Sequence, residues 1–166
     1  MDNKKYVDYI LEQAENLINI DSPSGYGEGV TQYLLDEFGK MGYHAYRTGK
    51  GSVIADLGGE DENDAILLEG HCDTLGAMVH EIKADGHLKL TNNAEAENVR
   101  VITKFNGIYE GTCQLANPSV HVNGSYGTTP RTWDVMEVIL DEDVKTKADA
   151  EALGIMAGDY VCFEPR

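Results

Sequence analysis

The sequence predicts a mixed α/β protein, helix-rich over its first part and β-rich over the rest. Three observations carry this reading. Two stretches near the amino terminus repeat apolar residues every three or four positions. A short apolar run, Ala65-Ile66-Leu67-Leu68, leads through Glu69 and Gly70 into His71-Cys72-Asp73 and reads as a buried strand ending in polar side chains. Beyond Gly76, the turn dipeptides Asp85-Gly86 and Asn106-Gly107 each separate two strand-like runs.

Tyr6, Val7, Ile10, Leu11, Ala14, Leu17 and Ile18 form the first stripe, with Glu12, Gln13, Glu15 and Asn16 between them. Such spacing places one apolar face along an amphipathic helix. Asp21-Ser22-Pro23-Ser24-Gly25 ends it with turn residues. A second helix carries Val30, Tyr33, Leu34, Phe38 and Met41, with Gly42 as its stop. Tyr43 to Arg47 and Ser52 to Leu57 flank Thr48-Gly49-Lys50-Gly51 as a hairpin, and residues 58–64 form an acidic loop before the apolar run.

In the β-rich part, residues 77–84 and 87–91 pair around Asp85-Gly86, and residues 99–105 and 108–114 around Asn106-Gly107. Residues 92–98 read as a polar loop between these hairpins. Residues 134–140 form a further strand, residues 147–153 a short helix, and Tyr160 to Phe163 the last strand.

The 29 acidic residues against 13 basic ones give a formal charge of -16. Such a surface repels nucleic acid phosphates and anionic membranes, so neither is an expected partner. Cys72, Cys113 and Cys162 are too few and too irregularly spaced for a disulfide framework or a structural zinc site. With no apolar signal core after Met1 and no run of ~18 apolar residues, the expectation is a cytoplasmic protein.

His71 and Asp73 lead the candidates for chemistry. A metal-binding imidazole commonly has its second ring nitrogen held by a carboxylate. In open α/β sheets, sites collect beyond the carboxyl ends of strands. An isolated H-x-D is weak evidence, since a histidine at a strand end is as readily satisfied by backbone. Strand alternation turns Cys72 to the opposite face, as packing, whereas Glu69, two positions before His71, could share its face and is read as peripheral. His44, His80, His87 and His121 show no spacing that would place two imidazoles on one helix face. Ser22 to Glu28 is glycine-rich but lacks the ending of a phosphate loop, and no serine sits in a nucleophile elbow.

The block from Ile66 to Leu90, ILLEGHCDTLGAMVHEIKADGHLKL, together with SPSGYGEG at Ser22 to Gly29 and LGIMAGDYVCFEP at Leu153 to Pro165, resembles the glutamyl aminopeptidase family. This is peptidase family M42, which includes the tetrahedral aminopeptidases. The related carboxypeptidase-type family shares HxD after a strand but runs on into a proline-containing loop, whereas LGAMVHEIKADG continues as a hairpin.

The resemblance implies a partial aminopeptidase-type α/β/α catalytic domain over residues 1–75, and an inserted β-barrel-like, oligomerisation-type domain over residues 76–166. It implies a metal-dependent aminopeptidase acting on peptides, with two divalent ions, zinc or cobalt, in each complete site. His71 would be a metal ligand and Asp73 the catalytic carboxylate that orients it. The other ligands of the family include a Glu-Glu pair, and no such pair occurs in these 166 residues. The expectation is therefore a truncated member with most of the two-metal site absent and little activity alone. Its alternative is a non-catalytic oligomerisation module derived from that family. In either case a homo-oligomer is implied.

Overall fold

The helical stripes and the alternating runs fold into separate units. A computed structural model describes residues 3–61, 63–92 and 97–164, and the chain divides into compact units Met1–Thr74 and Leu75–Arg166. The first contains α1 (Lys4–Ile18), α2 (Glu28–Lys40), β1 (Ala45–Arg47) and β2 (Val53–Ala55). The second contains β3 (Gly76–Ile82), β4 (Leu88–Leu90), β5 (Glu97–Thr103), β6 (Gly107–Leu115), β7 (Met136–Leu140), α3 (Lys147–Ala152) and β8 (Tyr160–Phe163). No helix among the described residues is long and apolar enough to cross a membrane.

In the first unit, polar side chains join the two helices. The Tyr33 hydroxyl donates to Gln13 Oε1 at 2.8 Å and accepts from Asn16 Nδ2 at 3.0 Å. Helix α2 buries Val30 and Thr31, and the Thr31 hydroxyl donates to the Gly51 carbonyl at 2.7 Å, pinning the turn between β1 and β2. These two strands form an antiparallel hairpin with Ala45 opposite Ala55. Helix α1 buries none of its residues, and Tyr6, Val7, Ile10, Leu11 and Ile18 along its apolar stripe are exposed.

The strand expected at residues 65–68 does not form. The segment from Ala65 to Thr74 carries no strand pairing, and Ile66, Leu67 and Leu68 are 88%, 81% and 82% exposed. The reason is the absence of a partner. A strand is held by its ladder and by an apolar layer on its face, and among the described residues the only sheet of this unit is the two-stranded β1–β2 hairpin.

The second unit is a closed barrel in the order β3-β4-β7-β6-β5-β8. Alternation sends Ala77, Val79, Val99, Val101, Cys113, Leu115, Val138 and Val161 inward. Leu88, Val101, Val138 and Val161 have no exposed surface, and each such side chain contributes about 1.5–3 kcal/mol of burial. Both hairpin dipeptides connect the strands as expected, Asp85-Gly86 between β3 and β4 and Asn106-Gly107 between β5 and β6. At Gly111 the neighbouring strand comes so close that an added Cβ would lie 2.5 Å from the Ile139 carbonyl oxygen. Residues 93–96 of the expected polar loop lie outside the described residues, while Glu97 and Asn98 open β5.

Helix α3 brings Ala150 into the barrel core, joined by Ile155 just beyond the helix. The helix starts with a capping box: the Asp149 amide donates to Thr146 Oγ1 at 3.3 Å, and the Thr146 amide donates to Asp149 Oδ2 at 2.8 Å. Glu137 is a buried carboxylate held by two donors from either side of the Asp85-Gly86 turn, Lys83 Nζ and His87 Nδ1, the latter at 2.9 Å. The Glu137 hydrogen bond is the main cause raising the Lys83 ammonium above its ordinary pKa.

Candidate functional site

The first unit brings its short hydroxyl side chains onto the segment that carries His71 and Asp73. Ser22, 1% exposed, follows the loop out of α1 and locks onto residues 72–74 through hydrogen bonds. Its hydroxyl donates to the Cys72 carbonyl at 3.1 Å and its amide to Thr74 Oγ1 at 3.2 Å. The Thr74 amide returns a bond to the Ser22 carbonyl at 3.0 Å. Two residues on, the Ser24 hydroxyl donates to Asp73 Oδ2 at 2.6 Å, and Asp73 Oδ1 lies 3.1 Å from His71 Nδ1.

An ionised carboxylate only accepts hydrogen bonds, so in this arrangement the neutral imidazole carries its proton on Nδ1. Nε2 then presents a lone pair, as in a metal-ligating histidine oriented by a carboxylate. The Ser24 hydrogen bond, and next the His71 one, hold the Asp73 carboxyl below the ordinary carboxylate pKa and keep it charged. Cys72 is partly buried between two exposed neighbours, although the segment that carries it pairs into no strand. Burial first, and then the charge of Asp73, push its thiol pKa up, which makes it a poor nucleophile.

The remaining candidates do not gather around this couple. Glu69, His44 and His121 are exposed. His80 packs edge-on against Trp133 with ring centroids 5.8 Å apart, and His87 serves Glu137. A cleft of about 460 Å³ in the barrel unit is lined by His80, Glu81, Lys147, Glu151 and Met156 among others, and includes neither His71 nor Asp73.

Among the described residues, no group of three or more His, Cys, Asp and Glu side chains could hold a metal ion. A catalytic zinc centre uses three protein ligands. His71 has the chemistry of one such ligand, but the described donor set does not fit a complete catalytic metal centre.

Sequence reasoning gives Ser22, Ser24 and Thr74 no role of their own, since Ser22 to Glu28 stands out only as a turn and a family motif. The available signal is chemical. Short hydroxyl side chains in a turn can satisfy backbone that has no ladder, and Thr74 supplies a matching hydroxyl just past the H-x-D.

Residues 51–166 match the family model of the M42 glutamyl aminopeptidases. The Bacillus subtilis protein YhfE, named as a candidate aminopeptidase, is 39% identical over 163 residues, covering 94% of this chain and 47% of the relative. A TET aminopeptidase structure from a marine-sediment Thaumarchaeota archaeon superposes with a TM-score of 0.78 at 20% identity, over 95% of this chain and 45% of the other. A TET peptidase of Pyrococcus horikoshii, described as assembling into a tetrahedron or a large octahedral shell, gives 0.72 at 22% identity, over 94% of this chain and 47% of the other. The chain thus spans about half the length of these relatives. The fold agrees with the partial α/β reading and its barrel, and the family match covers most of the residues: this chain belongs to the M42 glutamyl aminopeptidase family.

Proposed function

We propose that this chain is part of a metal-dependent aminopeptidase that removes N-terminal residues from peptides, with His71 as a metal ligand and Asp73 as the carboxylate that orients it. The observation that carries this reading is the 3.1 Å contact between His71 Nδ1 and Asp73 Oδ1, which leaves Nε2 as the ligating nitrogen. Zinc or cobalt would supply Lewis-acid activation of water and of the peptide carbonyl when bound. The chain's own groups bind and orient. Asp73 holds the imidazole and fixes its proton on Nδ1, and the Ser22–Ser24 turn holds Asp73. The rest of the ligand set and the general base come from residues other than those described, so activity belongs to a polypeptide in which those ligands complete the shell.

Residues 1–75 then form part of the catalytic α/β domain, and residues 76–166 its inserted, oligomerisation-type barrel. The assembly of the Pyrococcus horikoshii TET peptidase into a tetrahedron or a large octahedral shell supports a homo-oligomer here. The charge of -16 disfavours nucleic acid and anionic membranes as partners, and the cysteine usage suits the cytoplasm.

A specific observation also favours the second reading, a non-catalytic oligomerisation module. The barrel is closed and has its own core, whereas the first unit leaves an apolar helix stripe and residues 66–68 uncovered.

Titration of the purified chain with zinc or cobalt separates the two. Binding should weaken on His71→Ala by about 10-fold or more. Equal binding by the variant overturns the assignment of His71. Hydrolysis of aminoacyl-p-nitroanilides by the wild-type chain, abolished by His71→Ala, would exclude the module reading.

A further inference from the structure

We propose that Ser24 is a positioning residue that selects the tautomer of His71 by fixing the carboxylate of Asp73. This rests on the reading of His71 as a ligand for its functional meaning, while the geometry stands without it.

The contact between His71 and Asp73 cannot hold the imidazole by itself. The His71 side chain is 88% exposed and that of Asp73 48%, and pairs this open to water are weak and short-lived. Nor does a sheet hold the histidine, because residues 65–71 have no ladder partner. A free carboxylate turns about its Cβ–Cγ bond and presents either oxygen to the ring. Neutral imidazole in water prefers the proton on Nε2, which would block the ligating nitrogen.

Ser24 changes this balance. Its hydroxyl donates to Oδ2 at 2.6 Å, the range of charge-assisted O–H···O⁻ bonds. With Oδ2 engaged, rotation of the carboxylate is restricted and Oδ1 is directed at Nδ1. The serine is itself anchored. Its turn is closed by the Tyr26 amide donating to the Pro23 carbonyl at 2.7 Å. It follows the buried Ser22, which is bound to Cys72 and Thr74. Order thus passes from a buried serine, through a closed turn, to Ser24, Asp73 and the ring.

The same geometry separates Ser24 from a nucleophile. In a serine–histidine–carboxylate triad the hydroxyl bonds to the imidazole, which takes its proton. Here the hydroxyl bonds to the carboxylate, and the imidazole bonds to the other oxygen, so Ser24 orients without reacting.

Long-range ¹H–¹⁵N correlation spectra of the 166-residue chain, recorded at a pH above which the His71 ring signals no longer move, read the tautomer directly. Wild-type His71 should be mainly protonated on Nδ1. Ser24→Ala should move the tautomer ratio about five-fold towards Nε2–H, with the barrel-unit amide signals unchanged, and Ser24→Thr should restore it. An unchanged ratio in Ser24→Ala overturns the proposal. So does a shift that Ser24→Thr fails to reverse and Ser22→Ala reproduces, since Ser24 would then only support the fold. Zinc titration of His71→Ala is independent. If it binds as the wild type does while the tautomer result holds, the ligand reading fails and the positioning role stands.

Discussion

Gly86 lies directly against Val144: a Cβ built on it would come within 2.2 Å of Val144 Cγ1 and 2.8 Å of the Thr146 carbonyl oxygen. The turn between β3 and β4 is thus packed under the segment that leads into α3. Gly86 also has φ +83, a conformation that other residues adopt at a cost. Gly86→Ala should destabilise the barrel by about 2–4 kcal/mol, combining backbone strain with overpacking. Urea denaturation followed by the near-ultraviolet signal of Trp133 checks this, and an unchanged midpoint would refute it.

The Lys83–Glu137–His87 cluster gives a second prediction. Glu137→Gln keeps the shape but weakens both charge-assisted bonds, and should cost about 1–3 kcal/mol. Glu137→Ala should cost more, because the donors lose their buried acceptor. Adding Lys83→Met to Glu137→Ala should recover part of the loss, since the half-buried ammonium, left with Asp85 alone at 3.2 Å, is then removed as well. A double-mutant cycle in urea measures the coupling.

Helix α3 should lose its cap in acid. The backbone amide of Lys145, and next the Thr146 hydroxyl, hold Asp149 below its ordinary carboxylate value of 3.8. A depressed pKa in the folded state means that the stabilisation is complete above the unfolded value and fades as pH falls through the folded one. Amide signals of residues 145–150 should therefore shift only below the usual carboxylate range. Thr146→Ala should cost about 1 kcal/mol at neutral pH.

Exposure in the first unit predicts tolerance. Leu67 is 81% exposed, so Leu67→Ser should change unfolding free energy by no more than about 0.5 kcal/mol. The same change should lower binding of a hydrophobic dye, because it removes part of an uncovered apolar run. By contrast, Leu88→Ala in the barrel core should cost about 2–5 kcal/mol. Paired thermal melts and dye fluorescence decide between these outcomes.

These contrasts show where local sequence determines structure and where it does not. The hairpin at Asp85-Gly86, the hairpin at Asn106-Gly107 and the final strand at Tyr160–Phe163 are legible because each element finds its partner within the barrel. Helices α1 and α2 are legible from their stripes. The run at Ala65–Leu68 has strand composition, but composition does not supply a ladder, and here the chain stays unpaired. His71 and Asp73 stand out as residue types with a meaningful spacing. Ser24 does not, because its role depends on Ser22 meeting Cys72 and Thr74 across some fifty positions, contacts that no local pattern encodes.

The first and last strands of the barrel are hydrogen-bonded neighbours, with Gly76 opposite Cys162 and Met78 opposite Tyr160. Adjacent antiparallel strands run about 4.8 Å apart, so the polypeptide can arrive and depart at one seam. A module built this way can be spliced into a surface loop of a host with little strain on the host's backbone. It also carries its own core, so changes within the barrel need not propagate to the host. Gly76 and Cys162 at that seam mark a natural suture for grafting it elsewhere.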